Sequence, residues 1–278
     1  MVMWATGIFT SIDEGLGASL DAVRNLGVES VQLHAPSGYS RTPNGVREIS
    51  KMFSDANIEI SVVFVGFPED DYSTVEKVKE TVGLVPSTDR SKRLSETLDV
   101  ANFAKALGVD AIGMHLGFVP EDHTDLAFAE IVETTRIVCD HCAGNDQFFH
   151  LETGQETAKG LMQFIEAVDR VNLAVNFDPA NMILYGSGDP LEALETVAPF
   201  VRSVHCKDAK YERQVGQPWY EDAPLGEGDV DIEAFLSKLY SLGYRGPLTI
   251  EREYSPDQKG DIAAALELLH SLRTKILG

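Results

Sequence analysis

Short runs rich in β-branched and aromatic residues alternate with helical patterns from one end of this sequence to the other. Such alternation builds parallel sheets with helices packed outside them. Eight runs read as strands: Trp4–Phe9, Glu29–His34, Ile58–Gly66, Ala111–Leu116, Phe148–Glu152, Leu173–Asp178, Val201–Cys206 and Pro247–Glu251. Between them lie the helical stretches GASLDAVRNLG, NGVREISKMFSDAN, SKRLSETLDVANFAKALG, TDLAFAEIVETTRIVCDHC, DPLEALETVAPF and DIEAFLSKLYSLG, several closing on a Gly as helix C-caps do. Eight strand–helix units, with no Gly-rich dinucleotide fingerprint after the first strand, favour a closed (β/α)8 barrel of the α/β class over an open doubly wound sheet. The chain has 278 residues, 44% of them hydrophobic. That suits one barrel of about 250 residues and leaves little for a second unit, so residues 1–278 are expected to form a single domain. The long connections Phe67–Arg90 and Asp208–Val230 are expected to be lids or to carry small helices.

The charge balance narrows the partners. Lys and Arg number 23 against 44 Asp and Glu, a formal net charge of −21. That field repels phosphate backbones and anionic lipid surfaces, so neither nucleic acid nor membrane is an expected partner, whereas a cation site is compatible with it. The N-terminus lacks a basic region followed by an apolar core, and no apolar run approaches the roughly 18 residues of a membrane span. A soluble, cytoplasmic protein is expected. Three cysteines, Cys139, Cys142 and Cys206, are too few and too unevenly placed for a disulfide framework. The Cys139-x-x-Cys142 pair falls inside a helical run with no second pair to complete a zinc site, which makes both ordinary helix residues.

Alternate side chains on a barrel strand face the axis and the surrounding helices. Val31 and Leu33 oppose Gln32 and His34; Ile112 and Met114 oppose Gly113 and His115; Leu151 opposes His150 and Glu152. Phe177 opposes Asn176 and Asp178, Val204 and Cys206 oppose Ser203 and His205, and Leu248 and Ile250 oppose Thr249 and Glu251. With the apolar set on the helices, six strands carry a small or polar inward face that ends in His, Asp or Glu at the C-terminal rim, where barrel active sites are built. Glu152, Asp178, His205 and Glu251 would converge there. Burying three like charges together is costly without a counter-ion, and a divalent cation resolves the conflict. Oxygen and nitrogen ligands without a thiolate suit Mn2+, Mg2+, Co2+ or Zn2+. Separate salt bridges for each rim residue are the alternative.

The segments HLETGQE, NFDPANM, VHCKD, PLGEGDVD and LTIERE resemble the xylose-isomerase-like sugar isomerase/epimerase superfamily over essentially the whole chain. The resemblance implies a TIM barrel with one divalent ion, Mn2+ in the first place, held by Glu152, Asp178, His205 and Glu251. It also implies the chemistry of the ketose 3-epimerases. There the ion polarises a carbonyl, an enediolate forms, and two glutamates on opposite faces remove and return a proton. Glu152 and Glu251 match that catalytic pair, while Asp178 and His205 match ligands alone. A keto-sugar or related polyol ketone is the small-molecule substrate so implied. With few Lys or Arg at the rim, an uncharged one is favoured over a sugar phosphate. Asn181 stands where the superfamily often carries His, which argues for one metal and against a close match to the tagatose-type epimerases.

Other residues have substrate roles to test. Lys207 shares a strand face with His205 and could reach a substrate oxygen, or serve as counter-ion to Asp208. His115 and His34 end inward strand faces and could hydrogen-bond a substrate hydroxyl as neutral imidazoles. Glu156 could orient substrate or cap the following helix, and Asn181 could donate to a hydroxyl. Trp219 and Tyr220 could form a sugar-stacking wall, cover the barrel mouth, or make a dimer contact, which keeps a homo-oligomer among the expectations. The loop Gly226–Asp231 is a weak phosphate cradle, lacking the P-loop Lys, and reads better as a turn into a helix with Asp231 as N-cap. Three rival functions stand beside epimerisation. Elimination from the same enolate would make a dehydratase or lyase, as inosose dehydratases and enzymes acting on 3-keto-glycosides do on this scaffold. Phosphodiester cleavage, known in the abasic-site endonucleases of the superfamily, is opposed by Asn181, by Asp231 and by the net charge. A degenerate, non-enzymatic binding barrel is opposed by the retention of all four ligands.

Overall fold

A computed structural model describes residues 3–12, 17–20, 26–211, 219 and 221–278. Eight parallel strands close on themselves: β1 (Thr6–Ser11), β2 (Ser30–His34), β3 (Glu59–Val65), β4 (Ala111–Met114), β5 (Phe148–Glu152), β6 (Leu173–Phe177), β7 (Val201–Cys206) and β8 (Leu248–Ile250). Thr6, Gly7 and Ile8 of β1 pair with Leu248, Thr249 and Ile250 of β8, which completes the ring. The expected (β/α)8 TIM barrel is therefore the fold. Ala18–Ser19 adds a two-residue segment beside β1. The stretch GASLDAVRNLG, expected as the first helix, lies largely outside the described residues, as does Tyr220.

Nine helices are described: α1 (Pro43–Asp55), α2 (Val75–Thr81), α3 (Arg90–Leu107), α4 (Leu126–Gly144), α5 (Ala158–Val168), α6 (Pro179–Tyr185), α7 (Pro190–Val197), α8 (Ile232–Ser241) and α9 (Gln258–Leu277). Their starts follow local chemistry. Thr42, Thr74, Asp125, Thr157, Asp178, Asp189, Asp231 and Asp257 each accept a backbone N–H of the first turn. Helix α3 stops at Gly108, whose φ of 79° a side chain would resist. The Phe67–Arg90 connection does carry a small helix, α2. Among the described residues no helix is long and apolar enough to cross a membrane.

Alternation sorts the barrel into two cores. Val31, Leu33, Ile112, Met114, Phe149, Leu151, Val175, Phe177, Val204, Leu248 and Ile250 face the helices in one continuous apolar layer. At about 1.5–3 kcal/mol for each large side chain buried, this layer is the main source of stability. Cys139 and Cys142 belong to it as buried residues of α4, as expected, and burial pushes the Cys142 thiol up to about 12. Inside the barrel the apolar set is small: Phe9, Val62, Phe64 and Ala111, with Phe148 against them. The remaining interior is polar, with Gln32, His150, Asn176, Ser203 and Thr249 all buried.

The Asp208–Val230 connection is anchored by one carboxylate. Buried Asp208 accepts the backbone N–H groups of Ala209, Gly226, Gly228 and Val230 at 2.9–3.0 Å. A Cβ on Gly228 would lie 2.0 Å from Asp208 Oδ1, so only glycine allows the wrap. The amides of the GEGD loop thus surround a side chain of the protein itself, and the loop is a turn into α8 capped by Asp231. Asp208→Ala is expected to cost about 3 kcal/mol, since several N–H groups lose their acceptor at once. Urea unfolding measures this, and a loss under about 1 kcal/mol would refute the anchoring role.

Candidate metal centre

Strands β5 to β8 run side by side, and each delivers one donor to the same point at the C-terminal rim. Glu152 ends β5, Asp178 follows β6, His205 lies near the end of β7 and Glu251 follows β8. One donor atom from each falls within 4.8 Å of all the others. His205 Nδ1 stands 2.7 Å from Glu152 Oε1, 2.7 Å from Glu251 Oε2 and 3.7 Å from Asp178 Oδ2. These same four atoms are buried and have no hydrogen-bond partner outside the cluster. Polar atoms so buried are normally paired, and four orphans aimed at one another describe a ligand set. Three carboxylate oxygens and one imidazole nitrogen can together hold a divalent ion.

Each donor is locked by its surroundings. Asp178 spends its other oxygen, Oδ1, as the N-cap of α6, accepting from Ala180 N at 2.8 Å and Asn181 N at 3.0 Å. Thr153 clamps its backbone from the neighbouring strand end. His205 turns its Nε2 to Gln32 Oε1 at 2.7 Å, which leaves Nδ1 for the cluster. Glu251 Oε1 accepts from Lys207 Nζ at 3.2 Å.

The electrostatics differ among the four. Burial pushes Glu152 above the usual carboxylate range against the pull of His205, and Asp178 goes the same way against Lys207. Glu251 is also opposed by burial, but Lys207 and His205 outweigh it and hold its carboxyl well below the usual range. Burial disfavours a charged His205, yet Glu251 and Glu152 prevail and raise it well above an ordinary histidine. Without a cation, protons on this cluster supply part of the missing positive charge.

Around the cluster opens a recess at the C-terminal rim of the barrel. His34, His115, Asn181, Lys207 and Trp219, all expected at the site, line it with Glu152, His205 and Glu251. His115 is buried, and desolvation lowers it to about 4, so its imidazole is neutral near pH 7. It stacks on Tyr185 with ring centroids 5.8 Å apart, and Tyr185 meets Trp219 at 5.0 Å. Lys207 is paired with Glu251 and Asn181; Asp208, its neighbour in sequence, is occupied by the backbone groups above. Glu156 is placed elsewhere. It accepts the Val119 N–H at 3.1 Å and lines a separate surface cleft, while Thr157 caps α5. Neither expected use of Glu156, at the recess or as helix cap, matches this position.

The sequence reading missed several residues of the recess. Glu253, Tyr72, Tyr185, Asp70, Phe9 and Phe64 all line it. Glu253 was accessible to the same alternation that found Glu251, being two residues further along. Tyr72 and Asp70 lie in the connection already singled out by its length.

The closed barrel and its rim cluster define a (β/α)8 protein with a three-carboxylate, one-imidazole centre. The chain belongs to the xylose isomerase-like TIM barrel family, whose model matches residues 20–272. A xylose isomerase domain protein from Planctomyces limnophilus is 46% identical, with 99% of both chains covered and a TM-score of 0.94. A D-tagatose 3-epimerase-like protein shares 18% identity over 98% of this chain and 99% of its own, TM-score 0.76. The "probable 3-DHS dehydratase AsbF" of Bacillus anthracis shares 17% over 95% and 99%, TM-score 0.70. These last two likenesses concern the fold. Among curated relatives, the match spans only 25% of one protein from Escherichia coli and 36% of one from Rhizobium meliloti.

Proposed function

We propose that this protein is a divalent-metal-dependent epimerase or isomerase of an uncharged keto-sugar or related polyol ketone. The observation that carries the reading is the convergence of four buried donor atoms from β5 to β8, with no partner outside the cluster, beside one recess. Glu152, Asp178, His205 and Glu251 would hold the ion; their oxygen and nitrogen donors suit Mn2+, Mg2+, Co2+ or Zn2+, and the family resemblance puts Mn2+ first. When bound, it supplies a Lewis acid that polarises a ketone beside the C–H bond to be broken. Glu152 and Glu251 are the proton-transfer pair: one removes the proton and the other returns it to the opposite face. His115, neutral, serves a substrate hydroxyl; Asn181 and His34 add polar contacts. Lys207 holds Glu251 in its charged form and stands near the oxygen on which charge develops. Tyr185 and Trp219 present flat apolar surface to the C–H face of a ring. Lys207 is the one Lys or Arg among the described lining residues and is already paired with Glu251. That balance favours a neutral substrate over a phosphorylated one. We read the whole chain as one barrel domain acting on small molecules.

The test has two arms. Purified protein soaked in Mn2+ is expected to retain about one equivalent per chain. Because His205 carries a proton that the ion displaces, affinity should strengthen with rising pH, by up to about tenfold per unit across the neutral range. Less than half an equivalent, or affinity that weakens as pH rises, counts against the site. In the second arm the loaded protein is incubated with keto-sugars, inososes and 3-keto-glycosides in D2O and followed by NMR. Deuterium in recovered or epimerised sugar supports the assignment; elimination products with no exchange would reassign the protein as a lyase.

A further inference from the structure

We propose that Gln32 is a positioning residue that presents His205 to the ion, with Asn176 fixing the Gln32 amide; the inference rests on the metal reading above. Gln32 comes from β2, three strands round the ring from β7, and its side chain reaches through the interior. Its Nε2 donates to Asn176 Oδ1 at 3.1 Å, and its Oε1 accepts from His205 Nε2 at 2.7 Å. All three side chains are at most 1% exposed.

An amide has its acceptor at one end only. With the NH2 turned to Asn176, the carbonyl faces His205, and the ring nitrogen it meets must carry hydrogen. Nδ1, the atom aimed at Glu152, Asp178 and Glu251, is thereby the one left for a metal. Two register shifts adjoin these residues: beside Val31 and Gln32 the extra residue is Ser61 of β3, and beside Val175 and Asn176 it is Arg202 of β7. A bulge re-aims the strand that carries it, and the second lies in the strand that delivers His205. Phe9 and Phe64 flank the His205 ring at 5.5 and 5.3 Å, so apolar surface adjoins the imidazole where water would otherwise replace the glutamine.

The experiment titrates Co2+ into wild type, Gln32→Met and Gln32→Glu by calorimetry and by the visible Co2+ spectrum, with the metal-free melting temperature measured in parallel. Met keeps the volume and removes the acceptor; Glu keeps an acceptor, and the unpartnered Nδ2 of Asn176 can turn to it. Gln32→Met is expected to bind about 10- to 100-fold more weakly with an altered spectrum, and Gln32→Glu to stay within a few-fold of wild type. A purely structural role would lower both melting temperatures and leave Co2+ affinity alone. Equal affinity of Gln32→Met and wild type overturns the inference, as does Gln32→Glu binding as weakly as Gln32→Met. Should Gln32→Met fail to fold, Asn176→Ala decides: it frees the amide to turn and should weaken Co2+ binding to a smaller extent, and unchanged affinity overturns the proposal. A wild-type protein that binds no Co2+ overturns the metal reading itself, an outcome distinct from a variant that binds as well as a competent wild type.

Discussion

Glu152→Gln is expected to abolish proton exchange, by about 10³-fold or more in kcat/KM, while leaving the barrel folded and no less stable. The two effects have opposite signs for one reason. Glu152 is among three buried carboxylates gathered around one imidazole, and burial pushes it above its ordinary range, so its charge opposes folding. Glutamine has the same size without that charge, and metal-free stability should hold or rise. In the proposed reaction the charge is needed twice, to hold the ion and to take a proton. Saturating Mn2+ separates these uses. If Glu152 is a ligand alone, excess ion restores the rate. If it also transfers the proton, the fully loaded variant stays inactive. Deuterium exchange in the Mn2+-saturated variant within about tenfold of wild type would remove Glu152 from the proton-transfer pair.

The alternation that exposed Glu152 shows why so much of this barrel was readable. Parallel strands pair in a register that keeps one face on the helices, so Leu151, Phe177 and Val204 on the outer layer place Glu152, Asp178 and His205 on the inner one. The bounds of β5 and β7 coincide with the sequence reading for the same reason. Period alone was silent at β1 and β3, where both faces are apolar and the interior is filled by Phe9, Val62 and Phe64. It was also silent about partners. Lys207 precedes Asp208 in sequence, yet the strand end sends the lysine to Glu251 and the aspartate to the turn amides 18 to 22 residues away. Gln32 read as one more polar inward residue, because its contacts with Asn176 and His205 lie 144 and 173 positions distant and exist only once the barrel closes.

Lys207→Met should therefore be the most damaging substitution in the metal-free protein and among the best rescued by metal. Lys207 Nζ lies 3.2 Å from Glu251 Oε1 and 3.9 Å from Asp178 Oδ2, with all three side chains buried. Removing one member of such a group leaves uncompensated charge, which costs about 3–5 kcal/mol. A divalent ion bound by the same carboxylates replaces the lost charge, and at a hundred times its Kd contributes about 2.7 kcal/mol. The variant's melting temperature should then respond to Mn2+ more steeply than that of wild type, since no ammonium competes with the ion for Glu251. pH acts in a defined sense on the metal-free protein. His205 is raised well above its ordinary value, so its stabilising contribution is complete below the usual histidine range and is lost as pH rises through the raised value. Alkaline conditions remove the last proton from a cluster that already lacks its lysine, and Mn2+ should flatten this dependence. A metal-free loss under about 1 kcal/mol in Lys207→Met would mean that the lysine neutralises nothing at this rim.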